Sequence, residues 1–81
     1  MTMSDLKPGE TGRVIEIGTA GALKRRLIDM GITPGILVTV RRTAPLGDPM
    51  EVTLRGYELS IRREEAKRIL VEREAKRNGG K

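Results

Sequence analysis

The side chains that could carry covalent chemistry are few and poorly placed for it. The hydroxyl nucleophiles are Ser4, Ser60 and several threonines, and no histidine is present to take their proton. Lys24 and Lys67 would act as bases only if desolvated, and both have charged neighbours in sequence. Asp48 and Glu51 flank Pro49-Met50 closely enough to pair, but a solvated turn acid and a strand-face acid describe them more simply. No catalytic constellation survives, so no enzyme activity is expected. Metal chemistry fares no better: imidazole and thiolate are the usual transition-metal ligands, and the sequence has no His and no Cys. Met30 and Met50 fall at apolar-periodic positions, where a thioether packs a core. Neither a tight metal site nor a cofactor is expected. Gly18-Thr19-Ala20-Gly21 stands ahead of a helix as an anion-binding loop would, but no Lys-Ser or Lys-Thr pair follows at phosphate-loop spacing. A flexible strand-to-helix joint is the reading preferred for it.

What remains is binding. Lys24, Arg25, Arg26, Arg41, Arg42, Arg55, Arg62 and Arg63 could together make a basic face for nucleic acid. Single-strand binders stack bases on aromatic platforms, however, and Tyr57 is the only aromatic residue. Tyr57 also begins an apolar alternation, which suits a half-buried role at the core. A nucleic-acid role is therefore disfavoured. The second display candidate is the loop Thr43-Ala44-Pro45-Leu46-Gly47-Asp48-Pro49, which two prolines stiffen. A stiff loop binds a partner at small ordering cost. Leu46 at its middle is either an apolar tip or a residue tucked inward as the chain turns a corner.

Length and charge bound these options. At 81 residues the sequence suits one small domain, and a chain of this size buries only about 60% of its unfolded surface, so a deep catalytic pocket is hard to build. The balance of 16 Lys and Arg against 11 Asp and Glu gives a net charge of +5. Four of the basic residues and one acid fall in residues 73–81, which read as a basic, flexible tail after a single domain at residues 1–72. No apolar run approaches the roughly 20 residues that cross a bilayer. The opening Met1-Thr2-Met3-Ser4-Asp5 lacks the pattern of a secretion signal, so a cytoplasmic location without membrane insertion is expected.

The elements that must position these groups follow from periodicity. Leu6-Lys7-Pro8-Gly9 signals a type II turn. A β-branched strand follows at residues 11–17, with Gly12 allowing a bulge or a close backbone approach. Residues 22–30 form the one convincing helix: Leu23, Leu27 and Met30 make its apolar stripe, Ile28 lies beside them, and Arg25 and Arg26 point partly away. Gly31 stands where a left-handed C-cap wants glycine, and Ile32 can fold back over the helix end. Three period-two strands come next. Ile36, Val38 and Val40 oppose Leu37, Thr39 and Arg41; Met50, Val52 and Leu54 oppose Glu51, Thr53 and Arg55; Tyr57, Leu59 and Ile61 oppose Glu58, Ser60 and Arg62. Arg55-Gly56 is a tight hairpin. Residues 63–77 are strong helix formers, with Glu64/Arg68 and Glu72/Lys76 as i, i+4 pairs, yet Ile69-Leu70-Val71 is β-prone. One helical turn at residues 63–66 and a strand at about 67–71 is the preferred reading. The expected core is Val14, Ile17, Leu27, Val38, Val40, Val52, Leu54, Leu59, Ile61 and Ile69 of a small, strongly bent β-barrel. An exposed strand edge in such a barrel could support weak self-association.

The series Leu6-x-x-Gly9-x-x-Gly12-x-Val14, Leu23-x-Arg25-Arg26-Leu27-x-Asp29-Met30-Gly31-Ile32-x-Pro34-Gly35, Ala44-Pro45-Leu46-Gly47-Asp48-Pro49 and Arg55-Gly56-Tyr57-x-Leu59-x-Ile61-Arg62-x-x-Glu65-Ala66 resembles the FeoA family. The resemblance runs from about Leu6 to Glu72. It implies a mainly β fold, a small SH3-like barrel of about five strands with one inserted α-helix, and it favours the closing C-terminal strand. It further implies a non-catalytic, cytoplasmic accessory of bacterial ferrous iron uptake. The implied partner is the membrane iron(II) transporter FeoB, through its GTPase-bearing cytosolic portion. The same barrel resembles the C-terminal domain of iron-dependent regulators related to the diphtheria toxin repressor, which keeps a regulator-type interaction domain as an alternative. The expected partner-binding residues are Lys24, Arg25 and Arg26 on the helix and Leu46, Gly47 and Asp48 on the loop. In the purely structural alternative, Asp48 caps its own loop and Gly47 only supplies a positive φ.

Overall fold

Every strand of the structure, a computed structural model describing residues 1–74, alternates buried and exposed side chains over at least part of its length, and the buried set points one way. The chain opens with a 3-10 turn at Met3–Asp5 and the turn Lys7-Pro8-Gly9-Glu10, which is closed by Glu10 N–H donating to Lys7 O at 2.9 Å. Gly9 has φ +91, as the third position of a type II turn requires. Then come β1 (Thr11–Ile17), α1 (Gly21–Asp29), β2 (Leu37–Thr43), β3 (Met50–Leu54), β4 (Tyr57–Ile61), α2 (Arg63–Ala66) and β5 (Ile69–Arg73). The five strands form one antiparallel sheet in the order β4-β3-β2-β1-β5.

Two bulges bend this sheet. The register slips between Val14 and Glu16 in β1 and between Val40 and Arg42 in β2, leaving Ile15 and Arg41 as the extra residues. Each slip restores buried alternation beyond it and adds local twist. The expected period-two face of β2 therefore ends at Val40, and Arg42 rather than Arg41 sits opposite Glu51. Gly12 is the close approach anticipated for it: a Cβ there would come within 3.1 Å of Leu6 and 3.2 Å of Val71.

Helix α1 ends as its sequence requires. Ile32 N–H reaches back to Leu27 O at 3.0 Å and Gly31 N–H to Ile28 O at 2.9 Å, with Gly31 at φ +99. This is the double bond of a Schellman cap, and Ile32 is driven into the core beside Leu27. The hairpin at Arg55-Gly56 has positive φ at both residues, 49 and 84, the requirement of a type I′ turn. Beyond α2 the turn persists through Lys67 and Arg68, whose amides bond back to Arg63 O and Glu65 O. The closing strand therefore starts at Ile69, two residues later than the expected Lys67, and extends to Arg73. Ala75 to Lys81, most of the expected basic tail, and with them Lys76 of the Glu72/Lys76 pair, lie outside the described residues, while Glu72 is in β5.

Nine of the ten expected core residues are buried, and Leu59 is only partly covered because β4 lies at the sheet edge. The core also takes Met3, Leu6, Ile36, Met50, Ala66 and Val71. Met3 and Leu6 enter because the N-terminus is stitched to β5: Thr2 bridges Leu70, and Val71 N–H donates to Met1 O at 3.0 Å. No helix among the described residues is long and apolar enough to cross a membrane.

Candidate functional site

The four residues of α2 anchor both elements singled out in the sequence. Arg63 faces the loop at residues 44–49: its backbone N–H donates to Asp48 Oδ1 at 2.9 Å and its Nε to Gly47 O at 2.8 Å. The same guanidinium donates to Ser4 O at 2.7 Å, tying the loop to the N-terminal turn. Two residues along, and so on the other flank of this helical turn, Glu65 is buried and accepts Arg62 N–H at 3.0 Å. Its second oxygen pairs with Arg26 of α1 at 2.6 Å. A buried carboxylate needs such partners, and Glu65 has a backbone donor and a guanidinium.

Within the loop, Gly47 N–H closes a turn onto Ala44 O at 2.7 Å, and Ala44 N–H bonds Pro49 O at 3.0 Å. Gly47 has φ +85, a left-handed conformation that favours glycine. Asp48 caps α2 rather than its own loop, which corrects the structural alternative considered for it. Asp48 and Glu51 do not pair either, since Glu51 bonds Arg42 at 2.9 Å. With its polar groups spent inward, the loop leaves Leu46 at its apex 96% exposed. Between the two roles left open for Leu46, the geometry selects the apolar tip.

Helix α1 presents a different surface. Leu27 is buried, Leu23 and Met30 pack partly against the core, and Lys24 and Arg25 are exposed without an ion-pair partner among the described residues. Arg26 is committed to Glu65. Tyr57 OH donates to Met30 O at 2.7 Å and packs over Gly31, pinning the β3–β4 hairpin to the helix end. Tyr57 is 46% exposed, so it is a surface bolt more than a core residue. Among the described residues no hydrogen bond or ion pair joins the loop directly to α1; α2 is their common mooring.

Of the eight basic residues considered for a nucleic-acid face, Arg26 and Arg42 are paired with carboxylates and the Arg63 guanidinium with carbonyls, while Lys24, Arg25, Arg41, Arg55 and Arg62 are exposed and form no ion pair among the described residues. Lys24 and Lys67 are exposed, without the desolvation a catalytic amine needs. Among the described residues no three His, Cys, Asp or Glu side chains gather as a metal site would require. The sequence reading missed the roles of Arg63 and Glu65. The sequence signals for Glu65 were its place in the series that resembles the FeoA family and its position three residues after Arg62, where a carboxylate can return to cap the first turn; for Arg63 there was none.

Comparison with known proteins agrees with this architecture. A family model described as the FeoA domain matches residues 1–73. A curated relative, the Fe(2+) transport protein A/Fe(2+) transporter FeoB fusion protein of Porphyromonas gingivalis, is 35% identical over 72 residues, which cover 89% of this chain. The match spans only 8% of that relative's length. The solution structure of the FeoA protein from Chlorobium tepidum superposes with a TM-score of 0.85 at 42% identity, covering 98% of this chain and 75% of that one. The Stenotrophomonas maltophilia FeoA, described as a prokaryotic SH3 domain protein and solved with zinc, gives a TM-score of 0.78 at 29% identity, covering 89% of each chain.

Proposed function

This chain belongs to the FeoA family, with an SH3-like fold linked to ferrous iron transport, and from that premise we propose that it is a non-catalytic, cytoplasmic accessory that works by direct contact with the Fe(2+) transporter FeoB. One observation carries the proposal. In the P. gingivalis relative, a segment similar to this chain and FeoB are one polypeptide. Covalent linkage holds two modules at high effective concentration, which favours association between them.

The contact surface we propose is Leu46 on the loop together with Lys24 and Arg25 on α1. Leu46 is an apolar side chain held out on a braced backbone, so burying it in a partner costs little ordering. Lys24 and Arg25, exposed and without an ion-pair partner among the described residues, supply positive charge for steering and register. Gly47, Asp48 and Arg26 belong to the same site as the residues that hold it in place. The nucleic-acid alternative is weakened by the single aromatic side chain, Tyr57, whose hydroxyl is spent on Met30 O, and by the engagement of Arg26, Arg42 and Arg63 within the fold.

The test is an NMR titration of the labelled chain at physiological salt, with the cytosolic portion of the transporter in one arm and a random RNA oligonucleotide in the other. Shifts at Leu46 and at the Lys24 and Arg25 amides in the first arm are expected. Shifts with RNA alone would transfer the site to the basic surface, and silence in the first arm would remove the cytosolic portion as partner.

A further inference from the structure

The two edges of the sheet are treated differently. The outer edge of β5 is met by the N-terminus, through the Thr2–Leu70 bridge and the bond from Val71 N–H to Met1 O. Nothing among the described residues pairs with the outer edge of β4. The hairpin Arg55-Gly56 fixes which groups stand free there. In a two-residue hairpin the flanking residues, Leu54 and Tyr57, exchange hydrogen bonds, and the pattern alternates along the ladder. Tyr57, Leu59 and Ile61 therefore spend their backbone groups on β3, while Glu58 and Ser60 turn theirs outward. The register from Met50↔Ile61 to Leu54↔Tyr57 is unbroken, and β4 has neither proline nor lysine. Of the usual devices that blunt an edge it has a short length and one charge, Glu58, but no bulge and no proline.

We propose that this edge pairs with the β4 of a second copy of the chain, antiparallel about a twofold axis through Leu59. The register follows from what is free. Arg62 N–H is already donated to Glu65 Oε1 and Arg62 O is taken by Glu65 and Ala66 N–H, so pairing has only Glu58 and Ser60 to use. A twofold at Leu59 sets Glu58 opposite Ser60 of the second copy, twice, and engages all four residues. A twofold at Glu58 would place like charges face to face, and one at Ser60 would pair Glu58 with an Arg62 whose backbone is spent. The side chains fit the same choice. Glu58 and Arg62 are exposed and without an ion pair among the described residues, and in this register the seam has two Glu58–Arg62 diagonals against one Glu58–Glu58 diagonal, so attraction outweighs repulsion. Leu59, left partly uncovered in the single chain, meets its own copy. A five-residue seam is well below the area of a stable dimer, so the association is weak and concentration-dependent.

Sedimentation of the 81-residue chain across a concentration series, with amide shifts followed on dilution, tests this directly. The expected result is reversible dimerisation at the concentrations of an NMR sample, with the dilution shifts centred on Glu58 and Ser60. Ser60→Pro removes one outward N–H per copy at a position where an edge strand tolerates proline, and should weaken association about tenfold or more. Should Ser60→Pro disturb the fold, the charge variants keep the test open. Glu58→Arg alone and Arg62→Glu alone should each weaken association, and the two combined should restore it. A chain monomeric throughout would overturn the proposal. So would a dimer indifferent to these variants, or shifts at Glu58 and Ser60 that arise only on adding the transporter portion. Because the readout needs no transporter, its failure is separate from that of the FeoB contact.

Discussion

The loop at residues 44–49 and helix α1 are both moored to α2, yet they sort their residues in opposite ways. In α1 the apolar Leu27 is buried and the charged Lys24 and Arg25 face solvent. In the loop the Gly47 carbonyl and the Asp48 carboxylate are bonded inward to Arg63, while the apolar Leu46 stands out. A helix satisfies its own backbone, so its side chains are free to follow the hydrophobic effect. A six-residue connection with two prolines does not, and its polar groups must find partners among its neighbours. An apolar residue exposed for that reason alone would be unremarkable. One exposed at the apex of a loop braced by Arg63 is the residue we propose for partner contact.

Replacing the two leucines separates these regions most sharply. Leu27→Ala should cost about 3–5 kcal/mol of stability, through lost burial and the cavity left behind. Leu46→Ala should change stability by less than about 0.5 kcal/mol. Thermal melts of the two variants measure this contrast, and similar losses would erase it. Next in size, Arg63→Ala removes the donors to Gly47 O and Ser4 O and should cost about 1–3 kcal/mol. Its amide shifts should centre on the loop and the N-terminal turn and leave α1 unmoved. Asp48→Ala should cost about 1 kcal/mol, the ordinary loss for an acceptor removed from the first turn of a helix, and denaturant titration would detect it. The smallest effect is expected of Lys24→Glu with Arg25→Glu. Stability should stay within about 0.5 kcal/mol of the parent, while affinity for the transporter portion falls and its salt dependence weakens.

Legibility in the sequence followed the range of the interaction. The type II turn at Gly9, the helix end at Gly31-Ile32, the hairpin at Arg55-Gly56 and the turn at Arg63–Ala66 are all decided by a few adjacent residues, and each was readable. The β-prone run Ile69-Leu70-Val71 already favoured the closing β5 where helix propensity alone pointed the other way, and the FeoA resemblance strengthened that reading. Features that depend on distant partners were not readable. Arg63 looks like one more surface charge until its carbonyl partners sixteen and fifty-nine residues away are known. Arg26 looks as free as Arg25 until α2 brings Glu65 beneath it. Met3 and Leu6 precede the first strand signal and become core only because β5 returns beside them. Leu59 fits the alternation of β4 yet is not fully covered, because strand order is not a local property.

The central claim is that Leu46 is a contact residue and not a packing residue. Its most direct test is calorimetric titration of Leu46→Ala against the cytosolic portion of FeoB, alongside a thermal melt of the same sample. An apolar anchor lost from the centre of an interface predicts affinity lower by about tenfold with an unchanged melting temperature. Unchanged affinity with a sharply lowered melting temperature would contradict the account and make the loop a folding device only.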